Sequence, residues 1–252
     1  MTTIDTSYAL TEAQVRQYHE DGFLVFENLI RGGKLRRYVA LFDELVEQSK
    51  TREQDGAWTF ERDATGALDP RRILHKIQGV CVVEPRVLEL AKEPEIIGPI
   101  SSLIGSNLDI FGTKFFPMIP GGGTSTMWHQ DNYYFSSESE QIVTCGIYLQ
   151  DTDRENGCLK VIPRSHTRGR FTHNPNPATY GSWVDVDESE AVNLVIPGGT
   201  VILFSANLLH GANPNVSNRT RYSTAWHYLP GDMVLPPFNR GEYPDRHIVL
   251  GA

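Results

Sequence analysis

A chain of 252 residues, 40% hydrophobic and 21% charged, is long enough to bury a substantial core, and all-β proteins of this length often form one domain. The formal net charge of −8 argues against a nucleic-acid partner, because phosphates require a basic face. No apolar run approaches the roughly eighteen residues of a membrane span, and residues 1–9 show no secretion signal. We therefore expect one cytoplasmic domain over 1–252, with no nucleic-acid or membrane partner. The oligomeric state is not predicted.

The cysteines indicate a reducing compartment. Cys81, Cys145 and Cys158 are widely separated and form no Cys-x-x-Cys motif. We expect three buried thiols rather than disulfides or a metal site.

The first third of the chain predicts mainly helices. Thr11 is a good N-cap for a helix that ends near Asp21-Gly22. Residues 23–26 are apolar β-formers and predict a strand, whereas 33–49 has apolar residues at helical spacing. The polar segment 50–72 predicts solvated surface, although a binding loop is also possible. Further predictions are a strand at 73–77 and one or two helices over 84–105, broken near Pro94 and Pro99.

From residue 107 the pattern changes to short β-rich runs separated by Gly, Pro, Asn and Asp. These runs are 108–119, 126–131, 141–150, 159–162, 191–196, 200–204 and 221–229. Together with the helical first third, they predict a mainly β protein. Its core over about 107–229 would be an antiparallel jelly roll (a double-stranded β-helix), with the N-terminal helices packed outside.

One of these runs contains a candidate metal motif, Trp128-His129-Gln130-Asp131-Asn132. Alternate residues of a strand face the same side, about 6.5 Å apart, so His129 and Asp131 could bind one metal. A second histidine is required, and His210 is the candidate. Two histidines and a carboxylate leave positions open on an octahedral metal, as in non-haem Fe(II) oxygenases. Taken alone, however, a His-x-Asp pair is more often a strand-end histidine bonded to a nearby aspartate.

Basic residues near this motif predict an anion site. Arg221 is followed by Ser223, and a guanidinium beside a hydroxyl on one strand face suits a carboxylate. Lys114 is the next basic residue that could take this role. Lys76 could anchor an acidic substrate, although an ordinary surface side chain is the preferred interpretation. Four other histidines lack a carboxylate at ligand spacing and are not expected to bind metal: His19, His173, His227 and His247. His75 is predicted to be a surface side chain, and His166 to pack and form hydrogen bonds rather than bind metal.

Three stretches resemble the phytanoyl-CoA dioxygenase family, over about residues 10–228. They are Leu10-Thr11-Glu12 with Asp21-Gly22-Phe23-Leu24-Val25, the run 151–166 containing Glu155-Asn156-Gly157-Cys158-Leu159, and Pro197-Gly198-Gly199-Thr200 leading to His210-Gly211, Asn213-Pro214-Asn215 and Arg219 to Arg221. One departure is Arg164, where the family more often has glycine; it lies outside the presumed ligands.

The resemblance implies an Fe(II)- and 2-oxoglutarate-dependent dioxygenase. It implies that His129, Asp131 and His210 are the metal ligands and catalytic centre. Arg221 would hold the far carboxylate of the cosubstrate, with Ser223 or Lys114 as further contacts. The expected reaction hydroxylates an unactivated carbon of a small molecule, using O2 and releasing succinate and CO2.

The substrate and the outcome stay open at this point. No coenzyme A or nucleotide site is evident, which favours a small secondary metabolite or an amino-acid-like molecule. Tyr133, Tyr134 and Phe135 could line its pocket, and 173–190 could cover the barrel mouth. Related enzymes also desaturate, epoxidise or close rings. A non-catalytic metal-binding barrel and a halogenase are two further hypotheses; Asp131 argues against the halogenase, because halogenases replace this carboxylate by a small residue.

Overall fold

The computed structural model describes residues 6–62, 65–121, 123–175 and 181–251. Its helices are α1 Glu12–Asp21, α2 Gly32–Ser49, α3 Val80–Val83, α4 Val87–Ala91, α5 Pro94–Ile104 and α6 Asp131–Phe135. Its strands are β1 Phe23–Phe26, β2 Trp58–Phe60, β3 Leu74–Gln78, β4 Leu108–Phe116, β5 Thr126–His129, β6 Val143–Tyr148, β7 Leu159–Val161, β8 Asn174–Pro175, β9 Ser182–Trp183, β10 Val192–Asn193, β11 Thr200–Ser205, β12 His210–Ala212, β13 Ser223–Pro230 and β14 Arg246–Leu250. Within these ranges, no helix is long and apolar enough to cross a membrane.

Two antiparallel sheets form the core. The larger has the strand order β1-β11-β6-β13-β4-β3-β2, with β14 also paired to β4. The smaller has the order β10-β7-β12-β5. Chain neighbours are rarely sheet neighbours, as expected where strands cross between two sheets. The predicted double-stranded β-helix is therefore confirmed.

Alternation along the strands of the larger sheet separates a helix-covered face from a cavity-facing one. On β4, Phe115 packs against Phe42 of α2 with ring centroids 4.4 Å apart, whereas Lys114 and Phe116 line an internal cavity. Tyr222, beside β13, contacts Phe115 on the helix side. The alternation of side chains thus places apolar residues of the sheet against the helices. The opposite face of the sheet is left for polar groups.

Most predicted elements are confirmed, and the local reasons are visible. Thr11 caps α1 in a reciprocal hydrogen-bonded box with Gln14, and Gly22 ends it with a φ of 87°. Pro94 starts α5 at a position that needs no amide donor, whereas Pro99 lies inside α5 without ending it. The break predicted at Pro99 is therefore wrong. The three cysteines are free and buried, as expected.

Two loop predictions can be compared with the structure. The prediction that 50–72 is solvated surface is wrong in part, because Trp58–Phe60 forms β2, and Phe60 and Glu61 are buried and line the cavity. Gly157 has a φ of 92°, a left-handed conformation that glycine adopts without strain. Gly122 and residues 176–180 lie outside the described residues. The prediction that 173–190 covers the barrel mouth therefore falls partly outside them.

Candidate metal and cosubstrate site

Strand pairing brings the predicted metal ligands together. His129 ends β5, and His210, the first residue of β12, is its direct partner in the antiparallel register. Asp131 begins the short helix α6, so the prediction that it lies on the same strand as His129 is wrong. The intervening Gln130 is still extended, with φ −113° and ψ 133°, which keeps both side chains on one side. One ligand atom from each residue lies within 4.8 Å of the others.

Both histidines are held in the tautomer that a metal requires. Nδ1 of His129 donates to the carbonyl of Met127 at 2.8 Å, and Nδ1 of His210 donates to that of Leu208 at 3.0 Å. Each Nε2 is therefore left with a free lone pair directed at Asp131, at 3.6 Å and 3.8 Å from its carboxylate oxygens. All three residues are buried.

The protonation states also suit a divalent cation. Burial lowers the pKa of His210 to about 4, so its imidazole is neutral near pH 7. Burial by itself raises the pKa of Asp131, but the adjacent imidazoles of His210, His227 and His129 outweigh it and hold this pKa well below its usual range. Imidazole nitrogens together with one ionised carboxylate fit Fe(II).

A buried hydrogen-bond chain, which the sequence did not predict, holds the carboxylate of Asp131. Lys114 Nζ lies 2.9 Å from His227 Nε2, His227 Nδ1 lies 3.1 Å from Thr144 Oγ1, and Thr144 Oγ1 lies 2.7 Å from Asp131 Oδ2. An ammonium group can only donate, which assigns the proton of neutral His227 to Nδ1. Burial, followed by the charge of Lys114, lowers the pKa of His227 well below its ordinary value. Every bond of the chain then points towards Asp131.

His227 is the residue whose role the sequence does not reveal. It lacks a carboxylate at ligand spacing in the sequence, yet its Nδ1 lies 3.8 Å from Asp131 Oδ2. The pairing of His227 with Thr144 across β13 and β6 produces this proximity. No local motif could have indicated it, because the two residues are far apart in the chain.

Replacing Thr144 by valine, which has the same shape without the hydroxyl, tests this chain. We expect the affinity for Mn(II), used in place of iron, to fall by about 10- to 100-fold, as for other lost partners of metal ligands. The unpaired groups left behind should also lower the free energy of unfolding by about 1–3 kcal/mol. Calorimetric metal titration and thermal unfolding measure the two effects. Thr144→Ser should restore the affinity; equal Mn(II) affinity in the valine variant would exclude Thr144 from positioning Asp131.

Arg221 forms the second part of the site. It lies just before β13, is 3% exposed, and donates hydrogen bonds to Ser223 Oγ and to the carbonyl of Gly157. Its guanidinium carbon lies 5.1 Å from the ring centroid of Tyr148. Nε has no partner, and no acidic side chain of the described residues pairs with this cation. A buried guanidinium without a counter-ion fits an anionic ligand such as a carboxylate.

One cavity of about 740 Å³ joins the two parts. His129, Asp131 and His210 line it together with Arg221 and Ser223. Gly146 lies between them on β6, where an added Cβ would come within 3.2 Å of the Tyr148 ring, so its lack of a side chain keeps this wall open.

Most, but not all, of the other residues predicted to line the pocket do so. Lys114, Tyr134 and Phe135 line the cavity, whereas Tyr133 stacks on His173 at a centroid distance of 4.0 Å. Lys76, predicted to be a surface side chain, also lines the cavity. His75, beside it, is hydrogen-bonded to Glu61 at 3.0 Å.

Comparison with known proteins agrees with this geometry. The family model of phytanoyl-CoA dioxygenase (PhyH) matches residues 18–223, which is most of the chain. The chain belongs to the phytanoyl-CoA dioxygenase family. It is therefore a 2-oxoglutarate-dependent non-haem iron dioxygenase that acts on a small molecule with O2.

Relatives within and around the family differ in what they act on. Peroxisomal phytanoyl-CoA dioxygenase of Rattus norvegicus is 26% identical over 246 residues, which cover 91% of this chain and 71% of the relative. The crystal structure of EctD from S. alaskensis with 2-oxoglutarate and 5-hydroxyectoine has a TM-score of 0.72 at 22% identity and covers 96% and 84% of the two chains. The carbocyclase SnoK from nogalamycin biosynthesis has a TM-score of 0.68 at 20% identity, covering 95% and 91%. Both structures show the shared fold.

Proposed function

We propose that this dioxygenase hydroxylates an unactivated carbon of a small metabolite, at iron bound by His129, Asp131 and His210. The observation that carries the proposal is that the three ligand atoms line one cavity with a buried guanidinium that has no acidic partner among the described residues. When bound, Fe(II) supplies the oxidation: one oxygen atom of O2 goes to the substrate carbon, and the other enters succinate as 2-oxoglutarate loses CO2. We further propose that residues 1–252 form a single domain.

The protein's own groups hold the iron and set its open side. The two Nε2 atoms and one carboxylate oxygen are proposed as ligands, while Thr144 occupies the other oxygen of Asp131. This favours a single-oxygen contact from Asp131 and leaves the cavity side for small ligands. His227 is positioned by its bonds to Thr144 and Lys114 and is not proposed as a ligand.

Arg221 and Ser223 are proposed to bind the far carboxylate of 2-oxoglutarate. Arg221 is pre-oriented by its bond to the carbonyl of Gly157, so little side-chain freedom is lost on binding. Lys114 is also predicted from the sequence to contact the cosubstrate. In the β4–β13 register it pairs with Ala225, two residues beyond Ser223, and it lines the same cavity as Arg221 and Asp131.

The proposed substrate is a small secondary metabolite or an amino-acid-like molecule. The rat relative is named for an acyl-coenzyme A, whereas the S. alaskensis structure holds the much smaller 5-hydroxyectoine. A cavity of about 740 Å³ suits the smaller class, particularly once 2-oxoglutarate fills part of it. Ring closure is the second candidate outcome, because the SnoK carbocyclase shares the fold. Desaturation and epoxidation follow from the same oxidising chemistry.

Oxygen-dependent turnover of 2-oxoglutarate tests this function. Purified protein reconstituted with Fe(II) should bind one iron per chain and convert 2-oxoglutarate to succinate, faster when a metabolite extract contains the substrate. Zinc should inhibit by occupying the same ligands. Mass spectrometry of the extract should show a product heavier by one oxygen atom. Metal binding without succinate formation would instead indicate a non-catalytic barrel.

A further inference from the structure

Two aromatic side chains of the described residues pack directly against the proposed ligand histidines. The ring of Tyr134 lies edge-on to that of His129, with centroids 5.6 Å apart, and the ring of Phe204 lies 4.7 Å from that of His210. Both side chains line the cavity that contains the ligand atoms. Aromatic C–H bonds of the protein itself therefore lie beside the site at which the oxidation takes place.

The two rings differ in reactivity and in access. Tyr134 is 43% exposed and carries a hydroxyl group, which donates electron density to the ring carbons on either side of it. Phe204 has no such group, is 3% exposed and packs into an apolar cluster with Leu159 and Leu208. Of the two, the ring of Tyr134 is therefore the one that an oxidant in the cavity attacks more readily.

Contacts at the far end of the Tyr134 side chain hold its ring in place. The hydroxyl accepts a hydrogen bond from the backbone amide of Ser182 at 2.9 Å, and it lies 3.4 Å from the carbonyl oxygen of the same residue. Gly181 permits this approach, because a Cβ at that position would lie 2.9 Å from the hydroxyl oxygen. The ring is thus fixed by α6 at one end and by Ser182 at the other, and it cannot turn away from His129 without breaking these bonds.

The contents of the cavity decide whether this ring is open to oxidation. The cavity, of about 740 Å³, leaves room for a substrate beside 2-oxoglutarate. While that room holds only water, the oxidisable C–H bonds next to the metal site include those of the cavity wall. An enzyme that oxidises an unactivated carbon is also able to oxidise an electron-rich ring in that wall, unless the substrate excludes this competing reaction.

We propose that Tyr134 is a site of self-modification: when no substrate is bound, the enzyme hydroxylates the Tyr134 ring next to the phenol group and converts it to a catechol. One atom of O2 enters between a ring carbon and its hydrogen, and the other enters succinate as 2-oxoglutarate loses CO2. Half of the electrons that reduce O2 come from the C–H bond and half from the decarboxylation, so no further oxidant is required. The proposal rests on the proposed function, since it takes His129, Asp131 and His210 as the metal ligands.

Mass spectrometry of the protein itself tests this proposal. Protein reconstituted with Fe(II) is incubated with 2-oxoglutarate in air and without substrate, stripped of metal with a chelator, and digested. We expect the peptide that contains Tyr134 to gain one oxygen atom, and the digest to give a positive colour reaction for a catechol. Fragment ions should place the oxygen on Tyr134 rather than on Met127, which also lines the cavity. Omission of O2 or of 2-oxoglutarate should abolish the gain.

Two neighbouring tyrosines provide the variant and its matched control. Tyr134→Phe keeps the ring but should abolish the catechol, because a first hydroxylation of phenylalanine yields only a phenol. Tyr133→Phe should leave the catechol unchanged, because Tyr133 stacks on His173 and does not line the cavity. Tyr134→Phe is expected to fold, since it loses only the hydroxyl of a half-exposed side chain. Its affinities for Mn(II) and 2-oxoglutarate should equal those of the wild type.

A measurement without turnover tests the geometry on which the proposal depends. Fluorotyrosine is incorporated throughout the chain, and the fluorine signals of Tyr133 and Tyr134 are assigned with the two phenylalanine variants. Mn(II) is paramagnetic, so it should broaden the signal of Tyr134 more than that of Tyr133 when it fills the site. Equal or stronger broadening of the Tyr133 signal would show that the Tyr134 ring does not face the metal, and would overturn the proposal.

Other contrary outcomes separate self-modification from the dioxygenase function. Succinate formation without oxygen on Tyr134 would overturn self-modification and leave the function intact. The same holds for a catechol that persists undiminished in Tyr134→Phe or is lost in Tyr133→Phe. If protein without substrate forms no succinate and stays unmodified, self-modification is again overturned, and the reaction with a metabolite extract tests the function separately. Failure to form succinate with the extract as well would contradict the proposed function itself.

Discussion

Asp131→Ala is expected to abolish product formation and to weaken metal binding by more than about 100-fold. Loss of a residue that only hydrogen-bonds to a metal ligand already costs up to about 100-fold, and Asp131 is proposed as a ligand itself. Asp131 is the only anionic protein ligand proposed, and the variant leaves two neutral imidazoles to hold the cation. It also removes the acceptor of the Thr144 hydroxyl. Iron content and mass spectrometry of the products measure the two losses in parallel.

Further variants separate ligation from charge alone. Asp131→Glu keeps the carboxylate, but its extra methylene displaces the oxygen by more than the ~0.5 Å that a preorganised site tolerates, so we expect some metal and little product. Asp131→Gly opens a position that a halide could enter; hydroxylated product or none is expected, rather than halogenated product. Asp232→Ala, at an exposed aspartate, is the matched control and should be fully active. Near-native iron content and hydroxylation in Asp131→Ala would exclude Asp131 from the metal site.

Local patterns in the sequence predict the elements whose burial is strongly periodic. The helix α2 is one example, because its apolar side chains recur at helical spacing and are buried in the structure. The run 23–26 forms β1 with the predicted bounds. Arg164 adopts a φ of 64°, a left-handed conformation that glycine adopts more readily than a residue with a side chain. In each case the information lies within a few neighbouring residues.

Elements that depend on distant partners are predicted poorly. The strand β12 has only three residues, and pairing with both β5 and β7 defines it. Likewise, β2 is short and sits in a polar segment, so its burial follows from pairing with β3 rather than from its own pattern. The candidate metal motif is recognisable from His129 and Asp131, but the carboxylate lies at a helix start that no strand pattern could indicate.

The hydrogen-bond chain behind Asp131 shows the same limit at the level of single side chains. Thr144 and His227 meet because β6 and β13 are sheet neighbours in one register, although 83 residues separate them. A shift of β13 by one residue would turn His227 to the opposite face of the sheet, away from Thr144. Sequence alternation restricts which residues face the cavity, but the pairing between strands decides which of them touch.

Arg221→Ala is expected to weaken 2-oxoglutarate binding by about 2–5 kcal/mol, the cost of truncating one side of a desolvated charge pair. The guanidinium is buried and donates hydrogen bonds to Ser223 and Gly157. It has no acidic partner among the described residues, so a bound anion is needed to neutralise its charge. Lysine at this position should rescue only part of the affinity, because it lacks the planar fork. Calorimetry with Mn(II)-loaded protein measures the change, and Ser223→Ala should cost about 0.5–1.5 kcal/mol in the same assay.

Arg219→Ala is the matched control for this prediction, since Arg219 lies two residues earlier and pairs at the surface with Asp153. Its loss removes the same charge from the chain but should leave 2-oxoglutarate affinity unchanged, because an exposed ion pair contributes little. Thermal unfolding distinguishes a lost ligand contact from a lost fold: 2-oxoglutarate should raise the unfolding temperature of the wild type and of Arg219→Ala but not of Arg221→Ala. If Arg221→Ala leaves the affinity for 2-oxoglutarate unchanged, another basic residue binds the far carboxylate. Lys114, which lines the same cavity, would be the first residue to test.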